Sequence, residues 1–227
     1  MKRILFFCDP AEFANREIAI GASEALQESD AWFLRLYWPR EPNKPESWSE
    51  AFRFLKPDAL MFNAAVPSEL IRSALRKQIP VVAVASDTLP ATPIPLVMED
   101  IEEEGVKAAE FFLASRFEHF ACLDLEGSDE QRGKARGFRN RLKKAGHTCF
   151  EFALKRSGGT FIEMFGAFNP MRELRPWLTH LPSPCALLAT TDALAAETVE
   201  VCIRLGLRVP DDIAILGMDN NPTLCRT

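Results

Sequence analysis

Five apolar runs in this chain break off at an aspartate, and a carboxylate at the tip of a buried strand is a group that can act on a ligand. The runs are Ile4 to Asp9, Val81 to Asp87, Phe120 to Asp124, Ala186 to Asp192 and Ile213 to Asp219. In an open parallel sheet covered by helices, small ligands bind in the crevice outside the carboxyl ends of the strands, which is where these tips fall. Carboxylates gathered there could accept hydrogen bonds from a polar ligand, or serve as the acid and base of a small enzyme. Aspartate is also a common helix cap and turn former, so each tip has a structural reading beside the chemical one. The repetition favours a site more than any single member does.

Other chemistries are poorly provided for. Cys8, Cys122, Cys149, Cys185, Cys202 and Cys225 are scattered without a C-x-x-C pair and read as free, mostly buried thiols. His119, His147 and His180 lie far apart, so no zinc cluster is expected, and no metal or cofactor. The turn Asp9-Pro10-Ala11-Glu12 lacks the glycines of a phosphate cradle, and Gly158-Gly159 sits in a polar loop after an expected edge strand. A G-x-S-x-G elbow is missing, which weakens the enzyme reading. Net charge is −5, and the densest basic cluster, Arg132 to Lys144, carries Phe138 and Leu142 at helical spacing. That is a solvated helix face rather than a nucleic-acid grip. With 47% hydrophobic residues, no signal-peptide pattern and no run long enough to span a bilayer, the expectation is a cytoplasmic globular protein with no membrane partner.

The elements that must hold the tips alternate. The pattern predicts strands at 4–9, 31–38, 59–63, after Pro80, at 96–98, 119–124, 149–154, 185–190 and 213–218. Between them it predicts helices over 13–28, around Trp48 to Leu55, at 68–77 with Leu70, Ile71, Ala74 and Leu75 inward, from Ile101, over 134–145, around Met171 to Leu181 and over 193–205. Two successive sets imply two α/β lobes, 1–116 and 117–227, with a seam near Ser115 to Glu118 and a cleft between them.

Four patterns in this order resemble the effector-binding core of the LacI/GalR family, built like a type I periplasmic binding protein. They are Asp100 with Gly105; Arg136-Gly137-Phe138 with Leu142 and Gly146; Thr191-Asp192-Ala193-Leu194-Ala195; and Gly206-Leu207-Arg208-Val209-Pro210-Asp211-Asp212-Ile213 running on to Asp219-Asn220. The opening on a strand, and Asn15-Arg16-Glu17-Ile18 with Gly21, are similar to the xylose operon regulators within that family. Thr191 stands where the family has asparagine, and Gly127-Ser128 where it has a tryptophan-serine turn.

The resemblance implies two Rossmann-like lobes of parallel sheet flanked by helices, truncated at the C-terminus. It implies a ligand-sensing domain that takes a small sugar, a pentose such as xylose, in the inter-lobe cleft. DNA would be reached only through a helix-turn-helix domain absent from this chain, and a homodimer is expected. By matching position, Asp219, Asp192 and Asp100 face the cleft with a basic partner among Arg132, Lys134 and Arg136, while Arg16 and Asp9 contribute from the other lobe. A sugar's vicinal hydroxyls suit such a set, because carboxylates accept from them and a cation donates to their oxygens. Asp219 is the strongest candidate, since no clear helix follows it to be capped. The alternative is a small α/β enzyme acting on a sugar or sugar phosphate.

Overall fold

The computed structural model describes residues 2–27, 31–41, 44–63, 66–84, 92–126, 129–154 and 169–226. Strands and helices alternate through them: β1 Lys2–Phe7, α1 Phe13–Gln27, β2 Trp32–Tyr37, α2 Pro45–Leu55, β3 Ala59–Phe62, α3 Ser68–Arg76, β4 Val81–Val84 and β5 Leu96–Val97. There follow α4 Ile101–Ala114, β6 His119–Leu125, α5 Asp129–Lys144, β7 Cys149–Leu154, α6 Pro170–Leu178, β8 Cys185–Ala189, α7 Asp192–Leu205 and β9 Ile213–Leu216, with a 3-10 turn at Leu224–Arg226. Gly127-Ser128, Asp87 and Gly158-Gly159 lie outside the described residues.

The chain divides into two compact units, Met1–Glu99 and Asp100–Thr227. The first holds a parallel sheet in the order β2-β1-β3-β4-β5. From Ile4 onward strand β1 reads as an unbroken apolar run because both faces are covered. Side chains alternate along it, so Leu5 and Phe7 join Trp48, Phe52 and Leu55 of α2 and Leu70, Ile71 and Ala74 of α3, while Phe6 and Cys8 meet Ala19 of α1 on the other face. Leu75, expected inward, is 40% exposed. The buried trio Leu70, Ile71 and Ala74 already defines the inner stripe, and one further residue turns the side chain about 100° away from Ala74.

The second unit holds a parallel sheet in the order β7-β6-β8-β9, which makes β7 the expected edge strand. One face packs Ala121, Leu123 and Leu125 of β6 with Leu174 and Leu178 of α6 and Leu194, Val201 and Cys202 of α7. The other packs Phe120 and Cys122 of β6 under Ala135, Phe138 and Leu142 of α5, with Ala108, Ala109 and Phe112 of α4 completing the layer. Helix α4 falls in this unit, so the division lies at Glu99 rather than near Ser115 to Glu118. The cause is the closeness of α4 to α5. A Cβ on Gly105 would stand 2.7 Å from the Phe138 nitrogen, and one on Gly137 2.8 Å from the carbonyl carbon of Glu102. Only glycine lets two backbones approach in this way.

Strands β1 and β9 stop short of their aspartates, at Phe7 and Leu216, leaving short turns to present the carboxylates, whereas Asp124 lies within β6. Cys8, Cys122, Cys185 and Cys202 are buried free thiols, while Cys225 is exposed. Burial pushes the Cys185 thiol up to about 12 and the Cys202 thiol up to about 11.

Candidate functional site

The order of the second sheet reverses between β6 and β8, and the crevice outside the carboxyl ends at such a reversal is the expected place for a ligand. Helix α5 fills the approach to it. Gln131, Lys134, Ala135 and Phe138 are buried on its inner stripe, and Lys134, near the N-terminal end of that stripe, is carried to the sheet's carboxyl edge. Its side chain is 3% exposed, and its Nζ lies 2.8 Å from Glu130 Oε1, 3.0 Å from Asp219 Oδ1 and 3.6 Å from Glu104 Oε2. Burial acts against the ammonium; the hydrogen bond to Glu130 and the field of Asp219 outweigh it and raise its pKa above the ordinary lysine value. One ammonium shared among three carboxylates cannot fully offset the burial of each, and the Asp219 carboxyl is accordingly pushed up, by desolvation, from its usual range.

Asp219 owes its place to a loop pinned from behind. The Asp192 backbone N–H donates to the Met218 carbonyl oxygen at 2.7 Å, and the Asp192 carboxylate accepts from the Asn221 N–H at 2.6 Å and from the Cys225 thiol at 3.7 Å. Gly217 fits beneath because a Cβ there would meet the Ala195 methyl at 3.0 Å and the Asp192 carboxylate more closely still. Within the loop Asp219 and Asn220 take φ of 101° and 52°, a region that asparagine and aspartate tolerate better than most residues. Helix α7 is capped by Thr191, whose hydroxyl accepts from the Leu194 N–H at 3.2 Å.

Between these features lies a buried polar set. The Thr190 hydroxyl donates to the Gln131 amide oxygen at 3.3 Å, and its backbone N–H donates to the Leu123 carbonyl oxygen at 3.1 Å. Asp124 stands on the neighbouring strand, its carboxyl pushed above the usual range by burial.

The other residues singled out by sequence are placed elsewhere. Asp100 caps α4, accepting from the Glu103 N–H at 3.1 Å. Arg132 pairs with Asp129 at 2.7 Å and Arg136 with Glu102 at 2.5 Å, and both guanidinium side chains are more than half exposed. In the first unit Arg16 donates to the carbonyls of Pro10 and Ala11, and Asp9 accepts from the Ala11 N–H at 2.9 Å in its own turn. Beside them Asn15 is buried and accepts from the Asn63 amide at 2.7 Å, a pairing that sequence reading did not single out. Of the set, the structure therefore brings together Lys134 and Asp219, with Asp192 behind them. Glu104, Glu130, Gln131 and Thr190 were missed, although Gln131, Lys134 and Phe138 share one helical stripe that could have pointed to the first of them.

Residues 109–227 match the periplasmic binding protein-like domain family. The chain belongs to that family. Two parallel sheets flanked by helices are also what its structural relatives show. A LacI transcriptional regulator from Lactobacillus brevis superposes with a TM-score of 0.67 at 18% identity, covering 99% of this chain and 84% of that one. A LacI family regulator from Silicibacter pomeroyi gives 0.65 at 18% identity over 97% and 81%. Among sequence relatives, the HTH-type transcriptional regulator DegA of Bacillus subtilis is 26% identical over 209 residues, 90% of this chain and 60% of its own length. The xylose operon regulatory protein of Escherichia coli is 35% identical over 52 residues, 23% of this chain and 13% of its own. This periplasmic binding protein-like chain thus spans about three-fifths of the DegA relative, and the proteins it matches are regulators rather than enzymes.

Proposed function

We propose that the chain is the ligand-sensing part of a sugar-responsive transcriptional regulator, taking a small sugar at the carboxyl edge of its second sheet. The observation that carries the reading is the pairing of a buried lysine with a carboxylate on a strand-tip loop, Lys134 Nζ to Asp219 Oδ1 at 3.0 Å. Such a pair accepts from one hydroxyl and donates to the oxygen of the next, and each charge-assisted bond exceeds a neutral one. The similarity to a xylose operon regulatory protein makes a pentose such as xylose the first ligand to try.

Binding does its work by favouring one conformation of the domain over another, which a DNA-binding helix-turn-helix domain elsewhere in the regulator would read. That whole regulator is read as a cytoplasmic homodimer. The reading as a small enzyme on a sugar or sugar phosphate is the weaker one, since the relatives matched are regulators.

A thermal-shift screen of pentoses and hexoses tests the reading, because a ligand that binds only the folded state must raise the melting temperature. The expected result is a saturable rise with one or a few sugars and unchanged sugar recovered afterwards. Conversion of the sugar by the purified protein, or no shift with any sugar, overturns it.

A further inference from the structure

The three carboxylates around Lys134 do not stand in the same relation to it. An ammonium carries three N–H groups. Glu130 Oε1 at 2.8 Å and Asp219 Oδ1 at 3.0 Å take two of them. These two residues are also the ones that keep the buried lysine charged. Glu104 Oε2 lies 3.6 Å from the same nitrogen, beyond hydrogen-bond reach, so one N–H is left outside those two bonds with a carboxylate nearby.

The position of Glu104 is set by backbone packing more than by its attraction to the lysine. Glu104 lies in the first turn of α4, and Gly105 follows it. A Cβ on Gly105 would stand 2.9 Å from the Lys134 carbonyl carbon, and one on Gly133 would stand 2.8 Å from the Ile101 Cγ2 atom. Helix α4 therefore rests directly on the turn of α5 that carries Lys134. The Glu104 side chain stays 30% exposed while that of Lys134 is 3% exposed, so the carboxylate faces the ammonium from the solvent side of the pair.

We propose that Glu104 is a ligand-contacting residue that determines specificity: one sugar hydroxyl lodges on Lys134 and Glu104 together, accepting from the remaining N–H and donating to Glu104 Oε2. The inference rests on the sugar-sensing reading and adds a residue of α4 to its site. A gap of 3.6 Å lets a single hydroxyl oxygen reach both atoms at hydrogen-bond lengths of about 2.7–2.9 Å. A hydroxyl both donates and accepts, which is what a cation and a carboxylate side by side require. An ether or carbonyl oxygen would set its lone pairs against the carboxylate, and a deoxy carbon would serve neither group. The site should thus demand a free hydroxyl at one particular carbon of the sugar.

The test is a calorimetric titration of the full-length chain with D-xylose, D-ribose, D-glucose and D-galactose. The tightest binder and its monodeoxy forms are then titrated against wild type, Glu104→Ala and Glu104→Gln. One monodeoxy form should bind the wild type about tenfold or more weakly than the parent sugar. That gap should shrink to less than about twofold in Glu104→Ala, while the gaps at the other hydroxyls stay as they were. Glu104→Gln, which keeps an acceptor, should restore part of it. Melting temperatures of both variants should lie within about 3 °C of wild type, because the partly exposed pair adds little to stability. Gaps that are the same in Glu104→Ala as in wild type, or a larger fall in melting temperature, would make Glu104 a structural neighbour of Lys134 and refute this inference alone. Failure of the wild type to bind any of the four sugars removes the sugar reading and this inference with it.

Discussion

Replacing Gly137 with alanine tests whether the contact between α4 and α5 sets the position of Lys134. The new Cβ would stand 2.8 Å from the carbonyl carbon of Glu102 and closer to its oxygen, well inside an ordinary contact, and the obstacle is backbone that cannot rotate aside. Overpacking of a well-filled core costs about 1–3 kcal/mol, and a clash with helix backbone belongs at the upper end, about 3. Alanine recovers about 1 kcal/mol of helix propensity over glycine, leaving a net loss of about 2 kcal/mol. At about 3 °C per kcal/mol for a chain of this size, the melting temperature should fall by about 6 °C. Moving α4 outward also withdraws Glu104 from Lys134, so ligand affinity should fall with stability. Differential scanning calorimetry with a parallel binding titration reads both. A drop of less than about 1 °C would show that the helices separate freely and that their closeness positions nothing.

Lys134→Met leaves Glu130, Asp219 and Glu104 facing one another without their cation. Removing one partner of a buried pair costs about 3–5 kcal/mol, reduced here to about 2–3 because the carboxylates are partly solvated, and chemical denaturation should show it. Because the pKa of Lys134 is raised on folding, its stabilisation is complete below the unfolded lysine value of about 10.4 and is lost as pH climbs through the folded value, so the wild-type advantage should shrink in strong alkali. Asp192→Ala releases the Asn221 N–H and frees the loop that presents Asp219; affinity should fall by about tenfold while Asp192→Asn, which keeps an acceptor, recovers most of it. Arg132→Ala and Arg136→Ala should each stay within about 1 kcal/mol of wild type in stability and bind ligand unchanged, since both arginines make exposed pairs.

Apolar periodicity made most of the fold legible. Runs such as Ile213 to Leu216 and the stripe Trp48, Phe52 and Leu55 were readable because burial on a sheet face or helix stripe leaves a fixed spacing. Helix α5 was expected from Lys134 but begins at Asp129, since its first turn, Asp129-Glu130-Gln131-Arg132, is wholly polar and carries no periodic signal. That is why Glu130 and Gln131 were not singled out. The division between units was equally hidden, because it depends on two helices meeting at Gly105 and Gly137, and glycine advertises many things besides a close approach. Among the aspartates the sequence could not separate capping from presentation: Asp100 caps a helix, Asp192 ties a loop, and Asp219 meets Lys134, three uses of one side chain decided by the backbone around it.

The account depends on a sugar engaging the Lys134–Asp219 pair. Isothermal titration of wild type and Asp219→Asn with D-xylose measures this directly, with circular dichroism confirming that both are folded. Saturable binding by the wild type, weakened about tenfold or more in the variant, is the expected result. Equal affinity in the two proteins would place the sugar elsewhere and contradict the account.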